Sequence, residues 1–414
     1  MTSIEDIETP APRAVLLSVH TSPLAQAGVG DGGGMNVYVR SLADALCRAG
    51  VEVDVVTRRT RQEEPDLVVL PSGAKVHTLT VGGVQPLARD DFHTIIEPFA
   101  RAMEPIAAGA DLLHAHYWVS AGVAHDLKHA LGIPLVVTFH TLAGDKREAG
   151  IHDDADEREE VERVAARCAD RIVVSTAEEG ARITGAYGNE PDLIEQVVPG
   201  VDHGTFFRVS EDERDSLRCA LGAQDQQVMV FAGRIQPLKG LDLAIETLAA
   251  ASCEAHLYAI GGASGPEGEA HLREAHRLAL KLGVQDRVTF TGPMPQTELA
   301  DYFRIADLLL VPSRTETFGL VALEAAACGT PAVAAAVGGL KTVIIDGTTG
   351  LLVNSRDPER FAAKACSLLS DPVRARAMGR AASEHAASFS WDLAASRMRR
   401  VYGEVADRVL QLCR

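Results

Sequence analysis

The chain has 414 residues, 46% of them hydrophobic and 23% charged, with a formal net charge of −17. That length exceeds one ordinary core and implies two domains, and the composition is that of a globular protein. The negative charge argues against a nucleic-acid or anionic-membrane partner, and no apolar run is long enough to span a bilayer.

Residues 1–12 are acidic and contain Pro10 and Pro12 without an apolar run, so they read as a disordered tail and not as a signal peptide. Ala14–Val19 reads as a strand. The loop from His20 to Gly34 carries Gly28-Val29-Gly30-Asp31-Gly32-Gly33, a formal G-x-G-x-x-G. Met35, Tyr38, Val39, Leu42, Ala45, Leu46 and Ala49 then share one helical face, closed by Gly50. The next strand, Val51–Thr57, runs into Arg58 and Arg59. A dinucleotide fingerprint wants a tighter turn and an acid after this second strand. Both are missing, although the two arginines suit the 2′-phosphate of NADP. The competing reading is that Gly32-Gly33-Gly34 lets the backbone approach a diphosphate.

Strands at Asp111–Ala115 and Leu135–Phe139 lie beside His114, His116 and His140. Three histidines raise the question of zinc, but polar residues capping sheet ends fit better. Asp153-Asp154-Ala155-Asp156 resembles a D-x-D metal motif and reads as the acidic start of a charged helix, Asp156 to Ala169. Strands Arg171–Ser175 and Gln196–Val198 lead to Pro199-Gly200-Val201-Asp202, the expected domain boundary.

In the second half, strand Val228–Phe231 precedes Gly233-Arg234, and Lys239-Gly240 opens the next helix. A planar guanidinium and a point charge then flank one short loop, a clamp for a diphosphate. Strands His256–Ile260 and Val288–Thr291 follow. Strand Leu308–Val311 leads through Pro312-Ser313-Arg314-Thr315-Glu316-Thr317-Phe318-Gly319 into a helix containing Glu324. Such a strand–loop–helix aims backbone N–H groups and the positive helix end at one point. Carboxylates only accept hydrogen bonds, which suits sugar hydroxyls. Phosphate plus sugar means a sugar nucleotide. Strand Ala332–Ala335 comes next, and two helices close the chain. Alternating strands and helices imply an α/β protein with two doubly wound parallel sheets and a cleft at their carboxyl ends. The seven cysteines form no C-x-x-C and read as reduced thiols of a cytoplasmic protein.

Gly33-Gly34-Met35-Asn36-Val37-Tyr38, Gly-Arg-x4-Lys-Gly at 233–240 and Glu-x7-Glu at 316–324 resemble the family 4 retaining glycosyltransferases of the GT-B fold. His114-Ala115-His116-Tyr117-Trp118, Gly329-Thr330-Pro331 and Val337-Gly338-Gly339-Leu340 extend the resemblance over nearly the whole chain. Within the family it is most similar to enzymes of mycothiol biosynthesis. These move N-acetylglucosamine from UDP-N-acetylglucosamine to 1L-myo-inositol 1-phosphate (D-inositol 3-phosphate).

The resemblance implies an acceptor-binding domain over 13–200 and a nucleotide-sugar-binding domain over 201–390. A last helix, 391–414, would cross back to the first domain. It also implies roles. Arg234 and Lys239 would bind the diphosphate and Glu316 the donor sugar, with N–H groups offered by Phe318, Gly319 and Leu320. Glu324 would bind the ribose. Gly33, Gly34 and Asn36 would close over the donor, and His140 would sit near the reacting carbon. Arg89, Tyr117, Thr141 and Arg158 would hold an acceptor phosphate. No cofactor beyond the nucleotide sugar is expected, Mg2+ is compatible but not essential, no metal ligands are assigned, and a homodimer is allowed. Asp90, Asp91 and Asp145 add acid on the acceptor side, so an aminocyclitol or thiol-bearing acceptor, with a UDP or GDP sugar, stays as an alternative. An NADP-linked oxidoreductase and a non-catalytic sugar-nucleotide-binding protein are the alternatives from other classes.

Overall fold

The computed structural model describes residues 12–407, except 86, 88, 149, 151–155 and 266, and except the side chains of Arg89, Asp90, Lys146 and Asp156. The expected tail and the Asp153-Asp154-Ala155 motif lie outside the described residues.

Two sheets account for the strands. The first is β1 (Arg13–Ser18), β2 (Glu52–Arg58), β3 (Leu67–Val69), β4 (Lys75–Leu79), β5 (Leu112–His116), β6 (Leu135–Thr138), β7 (Arg171–Val174) and β8 (Ile194–Gln196). Their spatial order is β3-β4-β2-β1-β5-β6-β7-β8. All described pairings are parallel except β3 with β4, an antiparallel edge that the alternating pattern did not reveal. The second sheet holds β9 (Gln227–Ala232), β10 (Ala255–Ile260), β11 (Val288–Gly292), β12 (Leu308–Val311), β13 (Ala332–Ala335) and β14 (Gly350–Val353), in the order β11-β10-β9-β12-β13-β14. Every described pair there is parallel.

Central strands read as continuous apolar runs because helices cover both faces of each sheet. Val15 and Leu17 of β1 pack on one face, with Phe99, Met103, Val119 and Val123. Ala14 and Leu16 face the other way, against Tyr38, Val39, Leu42 and Leu46 of the helix Gly34–Arg48. This second cluster also contains Trp391, Met398, Val401 and Tyr402 of the last helix, Trp391–Ala406. This helix therefore packs into the first domain, and residues 408–414 of the expected crossing segment lie outside the described residues. The two crossings between domains lie side by side, with Val201 N–H donating to the Phe389 carbonyl at 3.2 Å.

The cysteine expectation needs correction. Cys253 and Cys366 form a disulfide, 113 residues apart in sequence, and Cys168 is also disulfide-bonded. The helices Leu241–Ala250 and Pro358–Leu369 pack together, which brings the first pair into reach. No local spacing signals a pairing made by tertiary packing. Cys47, Cys219 and Cys328 are free thiols. No described helix is long and apolar enough to cross a membrane.

Candidate active site

A cavity of about 660 Å³ lies between the sheets, at the carboxyl ends of β1, β6, β9 and β12. It brings together Gly33, Gly34, Asn36, Tyr117, His140, Thr141, Arg234, Lys239, Glu316, Phe318, Gly319, Leu320 and Glu324. Arg158 stands behind its wall. Arg89 opens a short 3-10 helix, Arg89–Ile95, and its side chain lies outside the described residues.

The second-domain half of the cavity starts at β12. The loop after this strand delivers Glu316, and Gly319, at φ 98°, turns the chain into the helix Leu320–Ala327. No described hydrogen bond uses the N–H groups of Phe318, Gly319 or Leu320. The loop is held by a glycine pair. A Cβ on Gly338 would sit 2.0 Å from the Glu316 carbonyl oxygen, and one on Gly339 would sit 2.3 Å from the Phe318 Cα. Lys239 Nζ donates to Glu316 Oε2 at 2.7 Å, and Ser313 Oγ donates to the same oxygen at 3.3 Å. The expected cation and the expected sugar-binding acid are thus paired in the cleft. Arg234 donates to Ser264 Oγ at 3.3 Å and to the Asp31 carbonyl at 3.4 Å. Glu324 is buried on its helix, and burial pushes its carboxyl up to about 8. Gln296 Nε2 donates to it at 3.3 Å.

From the first domain comes the glycine loop. Asn36 is buried, and its Oδ1 accepts from the Gly33 N–H at 2.8 Å, while its amide nitrogen donates to Thr21 and to the Ser22 carbonyl. Asn36 therefore shapes the loop that covers the cleft. Gly262 N–H donates to the Gly28 carbonyl at 3.0 Å, tying that loop to the second domain. Thr317 Oγ1 donates to the His140 carbonyl, a second tie.

The rest of the first-domain half follows β5 and β6. Tyr117 (φ 77°) and His140 (φ 63°) are the non-glycine residues with positive φ among those described. Both face the cavity, and such strain persists only where surrounding structure enforces it. Arg158 is not the solvated helix charge its neighbours suggest, being 1% exposed. It donates to Glu162 at 2.7 Å, to the Tyr117 hydroxyl at 3.1 Å, and to the Thr141 carbonyl and Oγ1 at 2.7 and 3.2 Å. Its guanidinium also lies 4.8 Å from the centre of the Tyr117 ring. The expected cup is thus lined by Tyr117 and Thr141, with Arg158 placing both from below. Asp145 pairs with Arg182, so its charge is countered beside the cup.

The three histidines do not gather as metal ligands. His114 lies inside β5, not at its end. Its Nδ1 is 2.7 Å from the Tyr402 hydroxyl and its Nε2 is 2.9 Å from Thr138 Oγ1. His116 Nδ1 is 3.0 Å from His140 Nε2. Burial pushes His114 and His140 down to about 3 and His116 well below its ordinary value, so all three are neutral. Asp31, Ser264, Gln296 and Thr317 were missed by sequence reasoning. Each acquires its partner only through tertiary folding, and nothing in local spacing marks them.

Two family models cover most of the chain. Residues 33–200 match a glycosyl transferase 4-like domain, and residues 213–385 match glycosyl transferases group 1. The D-inositol 3-phosphate glycosyltransferase of Kineococcus radiotolerans is 42% identical over 424 residues, with 96% of this chain and 97% of that one covered. That of Kribbella flavida is 40% identical over 412 residues, covering 95% and 96%. The chain belongs to the family 4 glycosyltransferases.

The fold of this glycosyltransferase is GT-B. Sucrose-phosphate synthase from Thermosynechococcus elongatus matches it with a TM-score of 0.89 at 30% identity, covering 95% and 98% of the two chains. Anabaena HepE in complex with UDP and glucose matches with a TM-score of 0.78 at 19% identity, covering 95% and 100%, a likeness of fold alone. The glycosyltransferase depends on a nucleotide sugar. The oxidoreductase alternative loses its basis as well. Arg58 is buried and donates to the carbonyls of Val81, Gly83 and Gln85 at 2.8, 3.0 and 2.7 Å, and Arg59 pairs with Asp66.

Proposed function

We propose that the enzyme transfers N-acetylglucosamine from UDP-N-acetylglucosamine to D-inositol 3-phosphate with retention at the anomeric carbon. The observation that carries this reading is that one cavity joins the loops after β9 and β12 with Tyr117 and Thr141, which the buried Arg158 holds from behind. The relatives at about 40% identity carry the name of that acceptor, which supports the same reading.

Arg234 and Lys239 hold the diphosphate, assisted by the helix start at Gly319. Glu316 accepts from the sugar hydroxyls and Glu324 from the ribose. Tyr117 and Thr141 offer hydroxyls to the acceptor phosphate, under the field of the buried Arg158. An acceptor hydroxyl oxygen bonds to the anomeric carbon on the face from which UDP departs. The bond from that carbon to the diphosphate oxygen breaks, and the hydroxyl proton passes to the leaving phosphate. The fixed positive field strengthens its hold as charge develops there, commonly the largest single catalytic contribution. Closure of the glycine loop excludes water and aligns the two substrates. These side chains supply the charge stabilisation themselves, so EDTA treatment is expected to leave turnover unchanged.

The test is a product assay by mass spectrometry with UDP-N-acetylglucosamine and three acceptors: inositol phosphate, unphosphorylated inositol and an aminocyclitol. Only the phosphorylated acceptor is expected to gain the sugar. Tyr117→Phe and Thr141→Val should raise KM for it and leave UDP affinity intact. Transfer to the aminocyclitol instead overturns the acceptor reading, and a GDP sugar used in preference overturns the donor reading.

A further inference from the structure

His116 is fully buried, and its Nδ1 faces His140 Nε2 at 3.0 Å. Its own Nε2 is buried without a hydrogen-bond partner. The rings of His114 and His116 are 4.2 Å apart, so His116 lies between the Tyr402-bonded His114 and the cleft. His140 lines the cleft, and no described hydrogen bond uses its Nδ1.

All three rings are neutral, so each carries one proton, and one proton lies between His116 and His140. Two arrangements satisfy this. In the first, His140 donates from Nε2 to His116. The proton of His116 is then forced onto its own Nε2, a buried N–H with no acceptor. In the second, His116 donates from Nδ1, and only a bare ring nitrogen is left without a partner. Orphaned buried N–H groups are the rarer defect in folded proteins, which favours the second arrangement. His140 then accepts at Nε2 and carries its own proton on Nδ1.

We infer that His116 is a positioning residue that holds His140 in the Nδ1-protonated tautomer, so that His140 presents an N–H donor, and no base, to the reacting sugar. The inference deepens the proposed function and rests on its placing of His140 beside the sugar. It also leaves the acceptor proton to the departing phosphate, because His140, protonated on Nδ1 and with its Nε2 occupied by the His116 N–H, has no free lone pair to receive it.

The tautomer is read directly from long-range proton–nitrogen NMR spectra of 15N-histidine-labelled full-length protein, assigned with His140→Gln and His116→Asn. The expected pattern for His140 is a neutral ring protonated on Nδ1. A ring protonated on Nε2 overturns the inference. Kinetics give a second readout. An Asn amide can keep a donor near the Nδ1 position, whereas Leu cannot. His116→Leu is expected to lose about tenfold or more in kcat through a misplaced donor, with UDP affinity unchanged, and His116→Asn to recover most of it. Equal losses in the two variants mean that His116 acts only as packing, and the positioning role fails. Full turnover in His140→Gln, with the tautomer as stated, would instead sink the placing of His140 beside the sugar.

Discussion

Lys239 and Glu316 form a pair at 2.7 Å in the cleft, which a donor bound as proposed parts or bridges. In the proposed function, Lys239 then holds a diphosphate whose charge grows as the sugar leaves. Lys239→Ala is expected to lose on the order of 100-fold or more in turnover, as for one preorganised donor. Near-normal turnover of the folded variant counts against the clamp. Glu324 makes a pH prediction. Its carboxyl is ordinarily at 4.5 and burial lifts it to about 8. Between those two values the folded chain holds a proton that the unfolded chain releases. Stability contributed by this group is therefore full below pH 4.5 and is lost as pH rises toward 8. Ribose hydroxyls donate best to the ionised form, so nucleotide affinity should rise with pH up to about 8, and binding below it should release a proton. Calorimetry in buffers of different ionisation enthalpy measures that release. Glu324→Gln should abolish it, and a proton release that survives in this variant assigns it elsewhere.

At the scale of elements, the loop from Gly28 to Gly32 reaches across to the second domain, where Gly28 accepts from the Gly262 N–H. A Cβ on Gly262 would sit 2.4 Å from the Gly28 carbonyl oxygen, closer than any real contact allows. Gly262→Ala should hold this loop off the second domain. Turnover should fall steeply while UDP, whose proposed partners lie mainly in the second domain, still binds. A larger radius of gyration in X-ray scattering would accompany it, whereas a variant as compact and active as the wild type removes the loop from the closure. The loops after β9 and β12 were legible in sequence because their residues sit in two short motifs on strands buried on both faces. Both β9 and β12 read as apolar runs, and their loops follow within a few residues. The strands β3, β4 and β14 escaped, since Leu67–Val69 is short and largely exposed and Lys75–Leu79 is half polar. The sequence expectation puts Arg158 on the acceptor phosphate, and its densely charged helix gives no sign that the side chain is buried. Its burial depends on Glu162 one turn on and on Tyr117 from another segment, a tertiary fact. The Cys253–Cys366 bond was hidden for the same reason.

In the whole molecule, the last helix belongs to the first domain while the chain leading into it belongs to the second. Ser390 caps this helix, its Oγ accepting from the Leu393 N–H at 3.2 Å, one residue beyond Phe389, which accepts from Val201. Any movement of one domain against the other must therefore bend both crossings at once. The helix is anchored from within by Tyr402, fully buried, whose hydroxyl lies 2.7 Å from His114 Nδ1. Tyr402→Phe keeps the ring and strands that nitrogen. Leaving one buried polar group unsatisfied costs about 1–3 kcal/mol, so the melting temperature should drop measurably. If the helix is part of the first domain's core, the loss will appear as one cooperative transition shifted to lower temperature, with UDP affinity preserved. A separate early transition, with the remainder of the protein melting as before, would mean that the helix docks as an independent appendage.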